Sequence, residues 1–107
     1  MSLADKNCVP CEGGVPPLTA PEIAKLQNEL KLAWTVTDNQ KIRHDFKFAN
    51  FRAAMEFVNK LAALAENEGH HPDLHIHYNR VIVELTTHAI NGLSENDFIL
   101  AKKIELI

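Results

Sequence analysis

The spacing of apolar residues changes several times along the chain, and each change marks an element. Ile23, Leu26, Leu30 and Ala33 recur at helical intervals, with Lys25, Asn28, Glu29 and Lys31 on the other faces. Thr19-Ala20-Pro21-Glu22 in front of them is a capping box, so a helix is predicted from there to about residue 32. Trp34 and Val36 then alternate with Thr35 and Thr37. Asp38-Asn39 is a turn signal, and Ile42, Phe46 and Phe48 repeat with period two beyond it, which makes a first hairpin. His44 shares the parity of those apolar residues and is expected on the core side of the sheet. Asn50 can cap a second helix, with a stripe of Phe51, Ala54, Met55, Val58, Leu61, Ala62 and Ala65 that Phe57 and Leu64 widen. Gly69 suits the position after the helix end, and Pro72 bars its continuation, leaving His70 and His71 in a short connection.

Leu74-His75-Ile76-His77-Tyr78 and Val81 to His88 form a second hairpin. With Asn79-Arg80 as a two-residue turn, Tyr78 faces Val81, Ile76 faces Val83 and Leu74 faces Leu85, while His75 meets Glu84 and His77 meets Ile82. Extending that register sets His71 opposite His88, with Cβ atoms ~4.5–5.5 Å apart. Ser94 caps a last helix with Asp97 at its third position, and Phe98, Ala101, Ile104 and Ile107 can cover the sheet. The order α-β-β-α-β-β-α predicts an α+β fold in two layers, a four-stranded antiparallel sheet with three helices packed on one face. Residues 19–107 form the single domain and residues 1–18 an extended N-terminal arm.

Composition narrows the function classes. The 107 residues, 46% hydrophobic and 23% charged, suit one globular domain, and no apolar run approaches the ~18 residues of a membrane span. Met1 to Lys6 lack the apolar core of a secretory signal, which makes the cytoplasm the expected compartment. A net charge of -3 with scattered Lys and Arg argues against direct nucleic-acid binding and for a small-molecule or protein partner. Cys8-Val9-Pro10-Cys11 lacks the second pair that a zinc site needs and lies in an arm, not at a strand-to-helix turn, so it reads as a surface segment with two reduced thiols.

Five of the six histidines lie between His70 and His88. Histidine is the side chain whose unperturbed pKa allows proton exchange near neutrality, so its clustering is the strongest chemical signal in the chain. One reading is metal binding, with His75 and His77 as an H-x-H pair beside His70, His71 and His88. The other is metal-free acid/base chemistry by His70, His71 and His88, with Glu66 and Asp97 as orienting carboxylates that favour the imidazolium. No Ser or Cys nucleophile accompanies the cluster. Proton transfer without covalent catalysis points to a lyase, dehydratase or tautomerase.

Taken together, Glu66, Gly69-His70-His71-Pro72-Asp73, Tyr78-Asn79-Arg80-Val81, Thr87-His88 and Gly92-Leu93-Ser94-Glu95-Asn96-Asp97 resemble the pterin-4a-carbinolamine dehydratases, also called 4a-hydroxytetrahydrobiopterin dehydratases. Trp34, Phe46-Lys47-Phe48 and Phe51 extend the resemblance, and the arm from Cys8 to Gly14 is similar to that of bacterial members. Leu74 and Ile90 depart from the mammalian pattern. The resemblance implies removal of water from a 4a-hydroxytetrahydropterin to give quinonoid dihydropterin, in tetrahydrobiopterin recycling beside an aromatic amino-acid hydroxylase. It implies no metal and no cofactor, pterin being the substrate, and a homodimer or homotetramer. It makes His70 and His88 the acid/base candidates, gives His71 pterin binding or proton transfer, and adds Glu66, Pro72, Asp73 and Asp97 as binding or orienting residues. The alternatives are a non-catalytic dimerisation or assembly protein on the same fold, and a metal-dependent hydrolase.

Overall fold

The structure, a computed structural model, describes residues 3–8 and 16–107. The first helix, α1 (Ala20–Gln27), starts at the expected capping box: Thr19 Oγ1 accepts the Glu22 amide and Glu22 Oε1 accepts the Thr19 amide. It ends short of residue 32, for a tertiary reason. The Glu105 carboxylate accepts the Lys31 and Leu32 amides at 2.9 and 2.7 Å and the Trp34 indole N–H at 2.9 Å, while Gln27 donates to the Trp34 carbonyl. With those groups satisfied by other partners, the backbone is free to leave the helix and bury Leu30 and Trp34.

Four antiparallel strands, β1 (Thr35–Thr37), β2 (Lys41–Lys47), β3 (Asp73–His77) and β4 (Arg80–Leu85), lie in the spatial order β1-β2-β4-β3. With α2 (Phe51–Glu68) and α3 (Glu95–Glu105) they complete the α+β order read from the sequence. Ile42, Phe46, Val81, Val83 and Leu85 share the face against the helices. His44 is there too, with ring centroids 5.6 Å from Trp34 and 4.6 Å from Phe46 and Nδ1 3.3 Å from the Ala33 carbonyl. The opposite face is charged. Arg80 pairs with Asp45, and His75, with Lys41 and Arg43 nearby, pairs with Glu84, holding both carboxyls below their ordinary range. The aliphatic stems of such side chains can cover Ile82, which is buried on this face.

Further expectations need correction. In α2, capped by Asn50 and closed by Gly69 at φ 69°, the buried residues are Ala54, Phe57, Leu61 and Ala65, whereas Phe51 and Ala62 are exposed. Phe57 sets this rotation by packing against Phe46 and Phe48 at 4.8 and 5.0 Å, and the half-buried Glu68 continues the same face. At the C-terminus Ile107 is exposed, leaving Phe98, Ala101 and Ile104 to cover the sheet.

The second hairpin turns at Tyr78-Asn79 instead of Asn79-Arg80. Its pairs are His77 with Arg80, Ile76 with Val81, His75 with Ile82, Leu74 with Val83 and Asp73 with Glu84. Asn79 is anchored to the end of β2, its carbonyl accepting the Phe48 amide at 2.8 Å and its side-chain amide donating to the Phe48 carbonyl at 3.1 Å, and Tyr78 takes φ 49°. The shift keeps the paired side chains on their predicted faces, but Tyr78 leaves the sheet for the turn and is exposed. It also removes the predicted opposition of His71 and His88: the register, if continued, sets Thr86 across from His71 and Thr87 across from His70.

The described part of the N-terminal stretch packs on α3. Leu3 is buried in the core, Lys6 pairs with Glu95, and Lys103 reaches Asn7. The Cys8 amide donates to Glu68 Oε1 at 2.8 Å, and Lys103 Nζ lies 2.8 Å from Glu68 Oε2. Cys8 is half-buried and not a surface thiol, and burial, with Glu68 beside it, pushes the thiol up to about 12. Cys11 lies outside the described residues.

The Cys8 amide and Lys103 hold the Glu68 carboxyl below its ordinary value. A carboxyl depressed on folding contributes stability above its unfolded pKa of ~4.3 and loses it as pH falls through the folded value. Glu68→Gln is therefore expected to lower unfolding free energy by about 1–3 kcal/mol at pH 7. Urea denaturation from pH 7 to 3 should show the gap to wild type narrowing at the acid end.

Candidate active site

Three chain turns converge at one end of the sheet. Gly69, left-handed at the end of α2, sends the chain out so that His70 and His71 leave the helix and Pro72 leads into β3. On the other side β4 runs on through Thr86 and Thr87 into a single 3-10 turn, His88–Ile90, which Asn91 closes at φ 53°. Backbone hydrogen bonds between Thr87 and Gly92, 2.9 and 3.4 Å, clamp this turn. Gly92 is needed there because a Cβ would stand 2.6 Å from that of Pro17. The chain then reaches Ser94, the cap of α3, and Asp97 in its first turn.

The turns enclose a cavity of about 260 Å³ lined by Gly69, His70, His71, Thr86, Thr87, His88, Ala89 and Asn96. A second hollow, about 340 Å³, adjoins it across Thr86 and His88. His70 Nε2 lies 2.6 Å from Asp97 Oδ1. The Asp97 side chain is fully buried, and its other oxygen, Oδ2, accepts the Thr87 hydroxyl at 2.8 Å and the Ser94 amide at 3.0 Å. A carboxylate can only accept, so the contact makes His70 Nε2 the protonated nitrogen and leaves Nδ1 for exchange. His71 Nε2 is similarly 2.7 Å from Glu66 Oε2. The two pairs differ in environment: the His70 side chain is 12% exposed and that of Asp97 0%, against 61% and 78% for His71 and Glu66. Solvent screens the second pair, while the first acts at low dielectric.

His70, His71 and His88 therefore share one cavity, as the sequence suggested, but His88 arrives through the 3-10 turn and not through strand pairing. Glu66 and Asp97 stand behind His71 and His70. Pro72 and Asp73 are not in the lining; Asp73 points with His75 and His77 to the charged face of the sheet. Among the described residues, no three His, Cys, Asp or Glu side chains are grouped to hold a metal ion. Asn96, Thr86 and Thr87 were missed as site residues. The available signal was Thr87, a hydroxyl continuing a strongly apolar strand next to a histidine, where burial demands a polar partner.

The family model for pterin 4 alpha carbinolamine dehydratase matches residues 16–107. The chain belongs to this family. A Rickettsia bellii protein that carries the provisional name pterin-4-alpha-carbinolamine dehydratase is 55% identical over 99% of this chain and 94% of its own. A similarly named protein of Nitrosomonas eutropha is 50% identical over 98% of this chain and 92% of its own. Among solved structures, a transcriptional coactivator/pterin dehydratase from Brucella melitensis superposes with a TM-score of 0.78 at 36% identity, covering 84% of this chain and 96% of that one. A pterin dehydratase-like protein described as a RuBisCO assembly factor of the alpha-carboxysome shares the fold, with a TM-score of 0.61 at 20% identity over 71% of this chain and 89% of its own.

The contrast between the two pairs is measurable. Asp97→Ala strands the Ser94 amide and the His70 imidazole in a buried site and is expected to cost about 2–4 kcal/mol. Glu66→Ala, at an exposed pair, should stay within about 0.5 kcal/mol of wild type. Chemical denaturation of both variants checks the difference.

Proposed function

We propose that the protein removes water from 4a-hydroxytetrahydropterin by histidine acid/base catalysis, giving quinonoid dihydropterin. Family membership supports the reaction, and the observation that carries the mechanism is the buried His70–Asp97 pair opening onto a cavity shared with His71 and His88. The N5 lone pair expels the 4a-hydroxyl while His88, on the exposed rim, protonates the leaving oxygen; water departs. Nδ1 of His70 takes the ring-nitrogen proton, and Asp97 at Nε2 stabilises the imidazolium that forms. One proton is given and one received, so exchange with solvent restores both histidines. His71, oriented by the exposed Glu66, contacts the pterin and relays protons at the cavity mouth. Pro72 and Asp73 act indirectly, through the path of the chain into β3. The substrate is the pterin product of an aromatic amino-acid hydroxylase, which makes such an enzyme the expected supplier and tetrahydrobiopterin recycling the expected setting.

A purely structural assembly role is the rival, since a neighbour of the same fold is described as an assembly factor. A desolvated histidine–carboxylate pair facing a cavity favours catalysis. Stopped-flow decay of the carbinolamine separates the two. Wild type should accelerate it; His70→Ala and His88→Ala should each lose about 10²–10⁴-fold in kcat, with a smaller loss for His71→Ala. Chelator should change nothing. Wild-type rates in all three variants would sink the mechanism, and abolition by chelator alone would turn it to metal catalysis.

A further inference from the structure

The histidine cavity is backed by a hydroxyl that neither family membership nor the motif explains. Thr87 is buried, and its single hydroxyl touches two groups, Asp97 Oδ2 at 2.8 Å and Ser94 Oγ at 2.7 Å. The direction of this chain follows from counting protons. Asp97 Oδ2 already accepts the Ser94 amide and Oδ1 faces His70 Nε2, so the carboxylate takes the Thr87 proton as a second donor to Oδ2. The Thr87 oxygen is then the acceptor for the Ser94 hydroxyl. A one-way relay results, Ser94 to Thr87 to Asp97, with His70 donating to the far oxygen of the same carboxylate.

We propose that Thr87 is a positioning residue that fixes the tautomer of His70 through Asp97. With both donors on Oδ2, Asp97 is held as a charged acceptor with Oδ1 aimed at the imidazole, and Nε2 of His70 must carry the hydrogen. Nδ1 is then presented to the cavity. Without the hydroxyl, a fully buried carboxylate keeps one donor on Oδ2. It can then rotate or take up a proton itself, and either change allows His70 to carry its hydrogen on the wrong nitrogen. The Thr87 backbone is fixed independently by its two hydrogen bonds to Gly92, so loss of the hydroxyl need not move the chain.

This role rests on the dehydratase reading for its kinetic consequence but not for its spectroscopic one. The test compares Thr87→Val, nearly isosteric but lacking the hydroxyl, with Thr87→Ser, which keeps it. The nitrogen-15 shifts of His70 in the neutral imidazole should show Nε2–H in wild type and in Thr87→Ser, and a mixture of tautomers in Thr87→Val. For carbinolamine decay, Thr87→Val should lose about 10–100-fold in kcat with KM within about twofold and a displaced pH–rate limb, while Thr87→Ser stays within about threefold of wild type. Nδ1–H in wild type, or an unchanged tautomer in folded Thr87→Val, would overturn the proposal. So would equal impairment of the Ser and Val variants, which would make the methyl group, not the hydroxyl, the important part. If wild type shows the Nε2–H signal but no turnover, the dehydratase reading fails and the positioning role stands on the spectra.

Discussion

A single buried carboxylate holds the functional end of the molecule together. Asp97 accepts from His70 where α2 gives way to β3, from Thr87 where β4 ends, and from the amide of its own cap residue at the start of α3. His70 lies 27 positions from Asp97 in sequence and Thr87 10, and no strand pairing joins them to it. A buried charge must be paired or it costs several kcal/mol, so each of the three segments is drawn to the same point. Asp97 is thus both the acid of a capping box and the partner of a histidine, and these two uses fix where the cavity opens.

The rest of the fold serves that convergence by polar clamps of the same kind. Glu105 gathers the amides that follow α1 and the Trp34 indole, tying the entry to β1 onto the end of α3. Glu68, at the end of α2, takes the Cys8 amide and Lys103, joining the N-terminal stretch to both long helices. The end of α2, from which His70 departs, and both ends of α3, which carries Asp97, are fixed in this way, which suits a site whose donors must be aligned before a substrate enters.

Much of this was legible from residue types. Thr19 with Glu22, Asn50, Gly69 and Ser94 marked helix ends because their side chains or backbone angles satisfy the orphan groups there, and these local rules depend little on the remainder of the fold. The hairpin register was not legible at the same level. Asn79-Arg80 and Tyr78-Asn79 are both acceptable turns, and the choice depended on Asn79 binding Phe48 from another strand. Period two preserved the faces, so Val81, Val83 and Leu85 were read correctly as core, whereas Ile76 and Tyr78 are exposed and the opposition of His71 and His88 was wrong. The rotation of α2 depended in the same way on where Phe57 found partners. At the site, histidines and carboxylates declared themselves by their chemistry, whereas Asn96 became visible only when the strand exit and the helix start were seen to meet.

His70, His71 and His88 are proposed to form one pterin-handling site, with the other histidines outside it. Histidine-selective NMR during titration with a 7,8-dihydropterin, an unreactive analogue of the substrate, tests this most directly. The imidazole signals of His70, His71 and His88 should move together with a common saturation curve while His44, His75 and His77 stay in place. Saturable shifts centred on His75 and His77, with the other three unmoved, would contradict it.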